Sequence, residues 1–297
     1  PGTRQRINPM RLRISLPVLA LFSLFACQSI DAGVKIRPHA DPGNAASQNK
    51  LGFNYANGLG VQQDDDEAVK WFRKSAEQEI AEAQYNLGVM YDHGRGVVQS
   101  YREAVRWYRK SAEQGFASAQ YNLGVSYANA QGVAQDFKEA VCWYRRAADQ
   151  GHAKAQNNLG MSYEKGLGVN EDDKEAVRLI RKSAVQGNAG AQFNLGTRYI
   201  TGHGVIQDYT RAFTMFQAAA EQRLALAQFN LGLHYFKGRG VDRDDTQSYM
   251  WLEVSRLNGY ANAVETINIV AKKLTGSDVA KAKDLARECF DKKFKGC

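Results

Sequence analysis

The sequence predicts an all-α solenoid, and three observations lead to this prediction. The pair Leu-Gly recurs six times at a constant interval of 36 residues, from Leu51-Gly52 to Leu231-Gly232. A Gln lies three positions before each of these Leu residues, and a Tyr lies four positions after it. The chain holds 27 Gly but only 5 Pro, which is typical of helices separated by glycine turns. Short helical repeats cannot bury their apolar sides alone, so they are expected to stack into a solenoid.

Residues 1–44 precede the repeats and are expected to direct export. Residues 1–26 are interpreted as upstream residues and a signal peptide, because Met10 is followed by two Arg and by an apolar stretch over 14–26. The stretch is followed by Cys27, and the sequence Leu-Phe-Ala-Cys at this point resembles a bacterial lipoprotein box. The resemblance implies that Cys27 is lipidated. The alternative is an ordinary signal peptide with an incidental Cys. Residues 27–44 lack helical periodicity and are expected to form a flexible tether.

Six units of 36 residues follow, and each is expected to begin with one helix. In the second unit Ala83, Leu87 and Tyr91 are spaced to form one stripe of that helix. Gly88 lies beside the stripe, where it predicts a close approach of another helix, and Gly94 is expected to end the helix in the left-handed conformation. The six units are residues 45–80, 81–116, 117–152, 153–188, 189–224 and 225–260.

A second, antiparallel helix is expected to complete each unit. Ser100 and Glu103 predict a capping box at its start, and Gly115 is expected to end it. The same pair recurs in four other units as Asp64/Glu67, Asp136/Glu139, Asp172/Glu175 and Asp244/Gln247. One position of this helix holds every Trp in the chain, at Trp71, Trp107, Trp143 and Trp251, and holds Leu179 and Met215 in the other two units.

The last segment, residues 261–297, is expected to close the solenoid with two capping helices. Apolar residues recur at helical spacing over 261–274, and Thr275 with Asp278 predicts the start of the final helix. Cys289 and Cys297 lie eight residues apart. In an oxidising compartment they would bridge, and the alternative is two free thiols.

The repeat resembles the Sel-1-like repeat family, which is related to the tetratricopeptide repeat. The family unit has the form A-x-A-Q-x-x-L-G-x-x-Y-x-x-G-x-G-V followed by A-x-x-W-x-x-x-A-A-x-x-G, and residues 81–115 match it almost throughout. The resemblance implies a right-handed α-solenoid that binds other proteins as a non-catalytic adaptor of the cell envelope. It also implies an exported location, as a periplasmic or membrane-anchored lipoprotein of a Gram-negative-type bacterium.

Enzyme chemistry finds little support in the residues. Gly-x-Ser-x-Gly and His-Glu-x-x-His are absent, and the five His residues have no metal-ligand spacing, so we predict no catalytic residue, metal or cofactor. Ser-x-x-Lys occurs at Ser47 and Ser162, without the companion motifs of serine β-lactamases, and is interpreted as chance. The alternative function is a cell-wall or β-lactam hydrolase. It rests on a cysteine-rich subgroup of the resembled family, whereas these repeats contain only Cys142.

Protein or peptide binding is therefore the predicted function, with the partner on the concave face formed by the first helices. One first-helix position carries an Asn row that could bond the main chain of an extended peptide; the alternative is that these amides bond neighbouring helices to each other. A second position varies between units and is expected to set specificity. The Asn row is Asn86, Asn122, Asn158, Asn194 and Asn230, and the varying residues are Met90, Ser126, Ser162, Arg198 and His234.

The net charge of +8 first suggests nucleic acid, but its distribution argues against this partner. Four of the 39 basic residues are Arg of the leader, which has no acidic residue. Without it, 35 basic residues face 31 acidic ones, which leaves +4. The basic residues of the repeats alternate with Glu and Asp on the second helices, as on a solvated surface.

Overall fold

A computed structural model describes residues 44–294 and 297, and within them every regular element is a helix. Helices alternate as the first and second helix of six repeats, and a further pair follows. No helix in this part of the chain is both long and apolar enough to span a bilayer. The helices are α1 (Ala45–Asn57), α2 (Asp65–Ala76), α3 (Ala81–His93), α4 (Tyr101–Glu113), α5 (Ala117–Asn129), α6 (Phe137–Asp149), α7 (Ala153–Lys165), α8 (Asp173–Val185), α9 (Ala189–Thr201), α10 (Tyr209–Ala220), α11 (Ala225–Lys237), α12 (Asp245–Leu257), α13 (Ala263–Ala271) and α14 (Gly276–Asp291).

Each helix of the repeats packs against the helices before and after it in the chain, so the six repeats form a solenoid as predicted. The glycine of each Leu-Gly pair permits the close approach within a repeat. A Cβ added at Gly88 would lie 2.7 Å from the ring of Tyr108, and one added at Gly124 would lie equally near Tyr144. Real Cβ atoms do not come so near a ring carbon, because the distance is well inside van der Waals contact.

The helix starts are capped more simply than the sequence predicts. The side chains of Asp64 and Ser100 accept the backbone N–H three residues on, as predicted. The returning bond of a capping box is absent from the described second helices of the repeats. Glu67, Glu103 and Glu175 instead form ion pairs with a cation one turn later. A charged partner on the same helix face competes for the carboxylate, and the predicted box is therefore wrong there.

The helix ends of the repeats follow the prediction, although a residue other than glycine holds the left-handed conformation at three of them: Glu79, Ala130 and Arg223. Gly94 caps α3 with a φ of +66°, and Gly115 follows α4 with a φ of +92°. At the end of α5 the equivalent residue is Ala130, which holds the same left-handed conformation with a φ of +57°.

The final pair closes the solenoid against the last repeat. Helix α12 contacts both α13 and α14. Thr275 begins α14 with a complete capping box formed with Asp278. The open question at the end of the chain is resolved, because a disulfide joins Cys289 to Cys297.

Candidate interaction surface

The residues predicted to vary for specificity lie inside the solenoid. Their relative exposure ranges from 2 % to 9 %, so the prediction that they are displayed to a partner is wrong. They share the position three residues after the repeat Leu, on the side of the first helix that packs into the core. Met90, for example, belongs to one buried cluster with Ala68 of the preceding repeat and Trp107 of its own. The buried set is Met90, Ser126, Ser162, Arg198 and His234.

Arg198 is the charged member of this set and is 4 % exposed. It forms ion pairs with Glu164 of the preceding first helix and, at 3.7 Å, with Asp173 of α8. Burial lowers the pKa of its guanidinium, because a charged group is poorly solvated there. Arg198 thus ties two repeats together.

His234 is the second titratable member and is 3 % exposed. Its Nδ1 lies 2.6 Å from the carbonyl oxygen of Arg239, and since a carbonyl only accepts, Nδ1 carries the proton. Nε2 is buried and has no hydrogen-bond partner among the described residues. The ring lies 5.4 Å from that of Phe216, and burial lowers the pKa of His234. A neutral imidazole therefore packs here as an aromatic core residue.

The Asn row lies half-buried on the first helices, where it bonds neighbouring repeats. Asn86 donates from Nδ2 to Oδ1 of Asn49 at 3.0 Å, and Asn194 makes the same bond to Asn157. In each pair the acceptor is the residue two before the Leu of the preceding repeat. At Asn86 and Asn194 the amides therefore bond neighbouring helices to each other, which is the alternative given above for the Asn row.

The middle of the row uses the same arrangement with tyrosine. The amide of Asn122 acts on the hydroxyl of Tyr85, and that of Asn158 on the hydroxyl of Tyr121, again across one repeat boundary. Burial raises the pKa of both phenols more than the neighbouring amides lower it. Asn230 departs from the pattern, because the preceding repeat offers a phenylalanine that cannot accept. Its Nδ2 turns back to the carbonyl of Leu226 at 2.8 Å.

A second row, missed in the sequence, lies three residues beyond the Asn row on the same side of each first helix. It is apolar at five of its six positions, and a search by repeat position would have found it. Phe53 is 48 % exposed, and most of the other members are half-buried. We name this row the first-helix stripe: Phe53, Val89, Val125, Met161, Thr197 and Leu233.

The remaining candidates show no assembled chemistry. Within residues 44–294 and 297, no group of three His, Cys, Asp or Glu residues could hold a metal ion. The hydroxyl of Ser162 donates to the carbonyl of Asn158, so at this Ser-x-x-Lys match the hydroxyl is held by the backbone of its own helix. Cys142 is an exposed free thiol, in agreement with the charge found at its position in other repeats. Cys27 lies outside the described residues.

Comparison with known proteins identifies the repeat. The Sel1 repeat model matches residues 45–79, 81–116, 117–152, 153–188, 189–224 and 225–260. No curated protein matches the chain.

Two solved structures resemble the chain in both sequence and fold. A Sel1 repeat protein from Oxalobacter formigenes is 36 % identical with a TM-score of 0.68, over 72 % of this chain and 86 % of that one. A protective antigen present in uropathogenic Escherichia coli strains, displaying an SLR fold, is 32 % identical with a TM-score of 0.58, over 86 % of this chain and 63 % of that one. With six matched repeats and these two relatives, the chain belongs to the Sel1 repeat family.

Proposed function

We propose that this protein is an exported, non-catalytic scaffold that binds an extended segment of another protein along its first helices. The observation that carries the proposal is the first-helix stripe, which recurs in all six repeats: Phe53 and Thr197 are exposed, and the other members are half-buried, with Val89, Val125 and Met161 also packed against the core. Neighbouring helix axes lie about 8–10 Å apart, so six of them span roughly 40–50 Å. An extended segment rises about 3.3 Å per residue, so 12–15 residues would cross the face.

The Asn row supports main-chain recognition beside the stripe. Each amide has two N–H donors and an oxygen acceptor. The bond from Asn86 to Asn49 consumes one donor, which leaves the other donor and the oxygen to meet a peptide group. Burial of the stripe would supply the affinity, at about 25 cal/mol per Å² of apolar surface removed from water.

The test compares capture by two triple variants of the full chain. The stripe variant carries Val89→Glu, Val125→Glu and Met161→Glu, which place charges in the stripe. The proteins that wild type and variant capture from membrane extract are identified and compared by mass spectrometry. The matched control, Val98→Glu, Ile206→Glu and Leu257→Glu, adds the same charge at exposed apolar positions elsewhere. Partners lost with the stripe variant alone support the proposal, provided that its urea midpoint equals that of the control variant. Equal capture by both variants would refute it.

Export and lipid attachment form a separate part of the proposal, supported by the leader pattern and Cys27. In cells making the full chain, wild type should fractionate with membranes and carry a lipid-modified Cys27 by mass spectrometry. Cys27→Ser should move to the aqueous periplasmic extract. A wild-type protein without lipid would refute the anchor. The scaffold proposal also predicts no turnover of nitrocefin, and catalytic turnover would favour the hydrolase alternative.

A further inference from the structure

A pair of cations follows the Trp on the second helix of each of the first three repeats, and both members are held by the protein itself. The first cation donates to the Tyr hydroxyl of the next first helix, at 2.8–2.9 Å. The second lies over the Trp ring, 4.5–4.8 Å from its centroid. The pairs are Arg73/Lys74, Arg109/Lys110 and Arg145/Arg146.

The fourth repeat keeps the pair, as Arg181 and Lys182, but lacks both of these contacts. Leu179 replaces the Trp, so Lys182 has no ring to cover. The Tyr that would accept from Arg181 is Tyr199, whose ring is instead covered by Arg211 at 5.8 Å. Among the described residues, the side chains of Arg181 and Lys182 have no hydrogen bond, ion pair or ring contact, and Lys182 interacts only through its charge with Glu175. These two cations are therefore not held in place as those of the first three repeats are.

Two cavities open around these cations. The larger, of about 600 Å³, is lined by Lys174, Arg178, Arg181 and Lys182, and no carboxylate lines it. Glu175 forms an ion pair of 2.6 Å with Arg178 and also interacts with the charge of Lys182, so one carboxylate faces four cations and the cavity keeps a net positive charge. A cleft of one charge sign attracts ligands of the opposite sign.

The smaller cavity, of about 260 Å³, is mostly apolar and is lined by α8, α9 and α10, with Arg181, Arg211 and Thr214 as its polar residues. It is lined by Met215, the second residue that replaces a Trp, together with Leu195 and Tyr199. In other repeats the Trp at this position packs against the preceding second helix, as Trp143 does beside Val105. Arg181 and Val185 line both cavities, and Val185 is 82 % exposed between them.

We propose that this face, made of α8 and α10, binds an acidic protein segment that carries a large aromatic side chain. Carboxylates of the segment pair with Arg181 and Lys182, and the aromatic side chain enters the cavity beside Met215. A phosphate group would satisfy the cations but leave the apolar cavity empty, so the observations favour a peptide. The site lies mainly on second helices, with Leu195 and Tyr199 of α9 lining its apolar part, and it shares no residue with the first-helix stripe.

The probe is a fluorescein-labelled pentapeptide with a central Trp flanked on each side by two Glu, titrated with the full chain and followed by anisotropy. We expect saturable binding with a Kd below about 1 mM at low salt, weakened by added salt. Arg181→Glu with Lys182→Glu should weaken binding by about tenfold or more, equivalent to 1.4 kcal/mol. Met215→Trp restores the residue of four other repeats, so it should fold, fill the cavity and weaken binding to a similar extent.

The matched control is Arg145→Glu with Arg146→Glu, the same change at the same position one repeat earlier. It should leave the Kd within about twofold, a change of roughly 0.4 kcal/mol. Three results would overturn the proposal: no binding at 1 mM, equal weakening by the control, or equal binding of a probe with Ala in place of Trp. Binding to phosphatidylglycerol vesicles that Met215→Trp leaves unchanged would instead assign the cations to a lipid surface. None of these results bears on capture by the first-helix stripe.

Discussion

Gln120 offers the sharpest test of what joins one repeat to the next. Its side chain is 4 % exposed and makes two bonds. Nε2 donates to the carbonyl of Ala112 in the preceding repeat at 3.1 Å, and Oε1 accepts from Gln150 at 2.8 Å. Five of the six repeats show both bonds at this position, in four cases with Gln as the second donor and in the last with Asn.

We expect Gln120→Leu to cost about 2 kcal/mol of unfolding free energy, within a range of about 1–3. Each of the two lost bonds contributes roughly 0.5–1.5 kcal/mol. The larger penalty of an orphaned polar group does not arise, because the carbonyl of Ala112 still accepts from the backbone of Gly115 and Gln150 still donates to the carbonyl of Gly115. Leu is similar in size to Gln, so no large cavity opens.

Urea unfolding followed by circular dichroism measures this cost. The midpoint should fall while the slope m stays constant, because the surface exposed on unfolding is unchanged. Hydrogen exchange in α5 should accelerate too, because each repeat is stabilised mainly by contacts with its neighbours. Gln62→Leu, the same change at an exposed turn residue, should stay within about 0.5 kcal/mol. A cost below about 0.5 kcal/mol for Gln120→Leu would refute the reasoning.

Three further predictions address single features. Ala130→Gly should stabilise the protein by about 1 kcal/mol, because Gly adopts the left-handed conformation without steric cost; a thermal shift measures it, with the opposite change Gly94→Ala as control. Burial lowers the pKa of His234, so below about pH 6.5 the unfolded state binds a proton that the folded state does not, and the free energy of unfolding should fall as the pH drops. His234→Leu should reduce this pH dependence, measured as urea midpoints from pH 7 to 5. An unchanged pH dependence in the variant would contradict the prediction. Reduction of the Cys289–Cys297 disulfide should destabilise α14 by about 2 kcal/mol, which would be seen as faster hydrogen exchange confined to that helix. An equal rise of hydrogen exchange in α1 would contradict the prediction that the disulfide stabilises α14 locally.

The sequence predicts the helix pairs well because each is fixed by local chemistry. Stripes at helical spacing, side-chain caps such as Asp64 and left-handed glycines such as Gly94 act within a few residues, and a single repeat reveals them. Contacts between repeats were harder to predict. The bond from Asn86 to Asn49 joins residues that are 37 apart in the chain. Which residue accepts it depends on the side of the first helix that packs against the preceding repeat, and a single repeat does not reveal this.

Burial of the varying residues shows the same difficulty. Met90 and Arg198 differ between units in the way that recognition residues do, and sequence variation alone suggests a partner. The structure gives another cause at two positions, because Arg198 pairs with Glu164, and His234 packs against Phe213 and Phe216. Variation inside a solenoid reflects such matched packing as readily as it reflects binding.

A departure from the repeat pattern therefore points to a partner only when it leaves a contact incomplete. At Arg198 the departure is compensated, since Glu164 and Asp173 meet the charge. At Leu179 and Met215 it is not, because the side chains of Arg181 and Lys182 lack the ring and hydroxyl contacts of the earlier repeats and a cavity lies beside them. An exposed cation needs no partner, because water solvates it. Covering the apolar surface of the cavity, in contrast, lowers the free energy, because it removes that surface from water. Among the second helices, those of the fourth and fifth repeats are thus the ones whose incomplete contacts favour binding of another molecule.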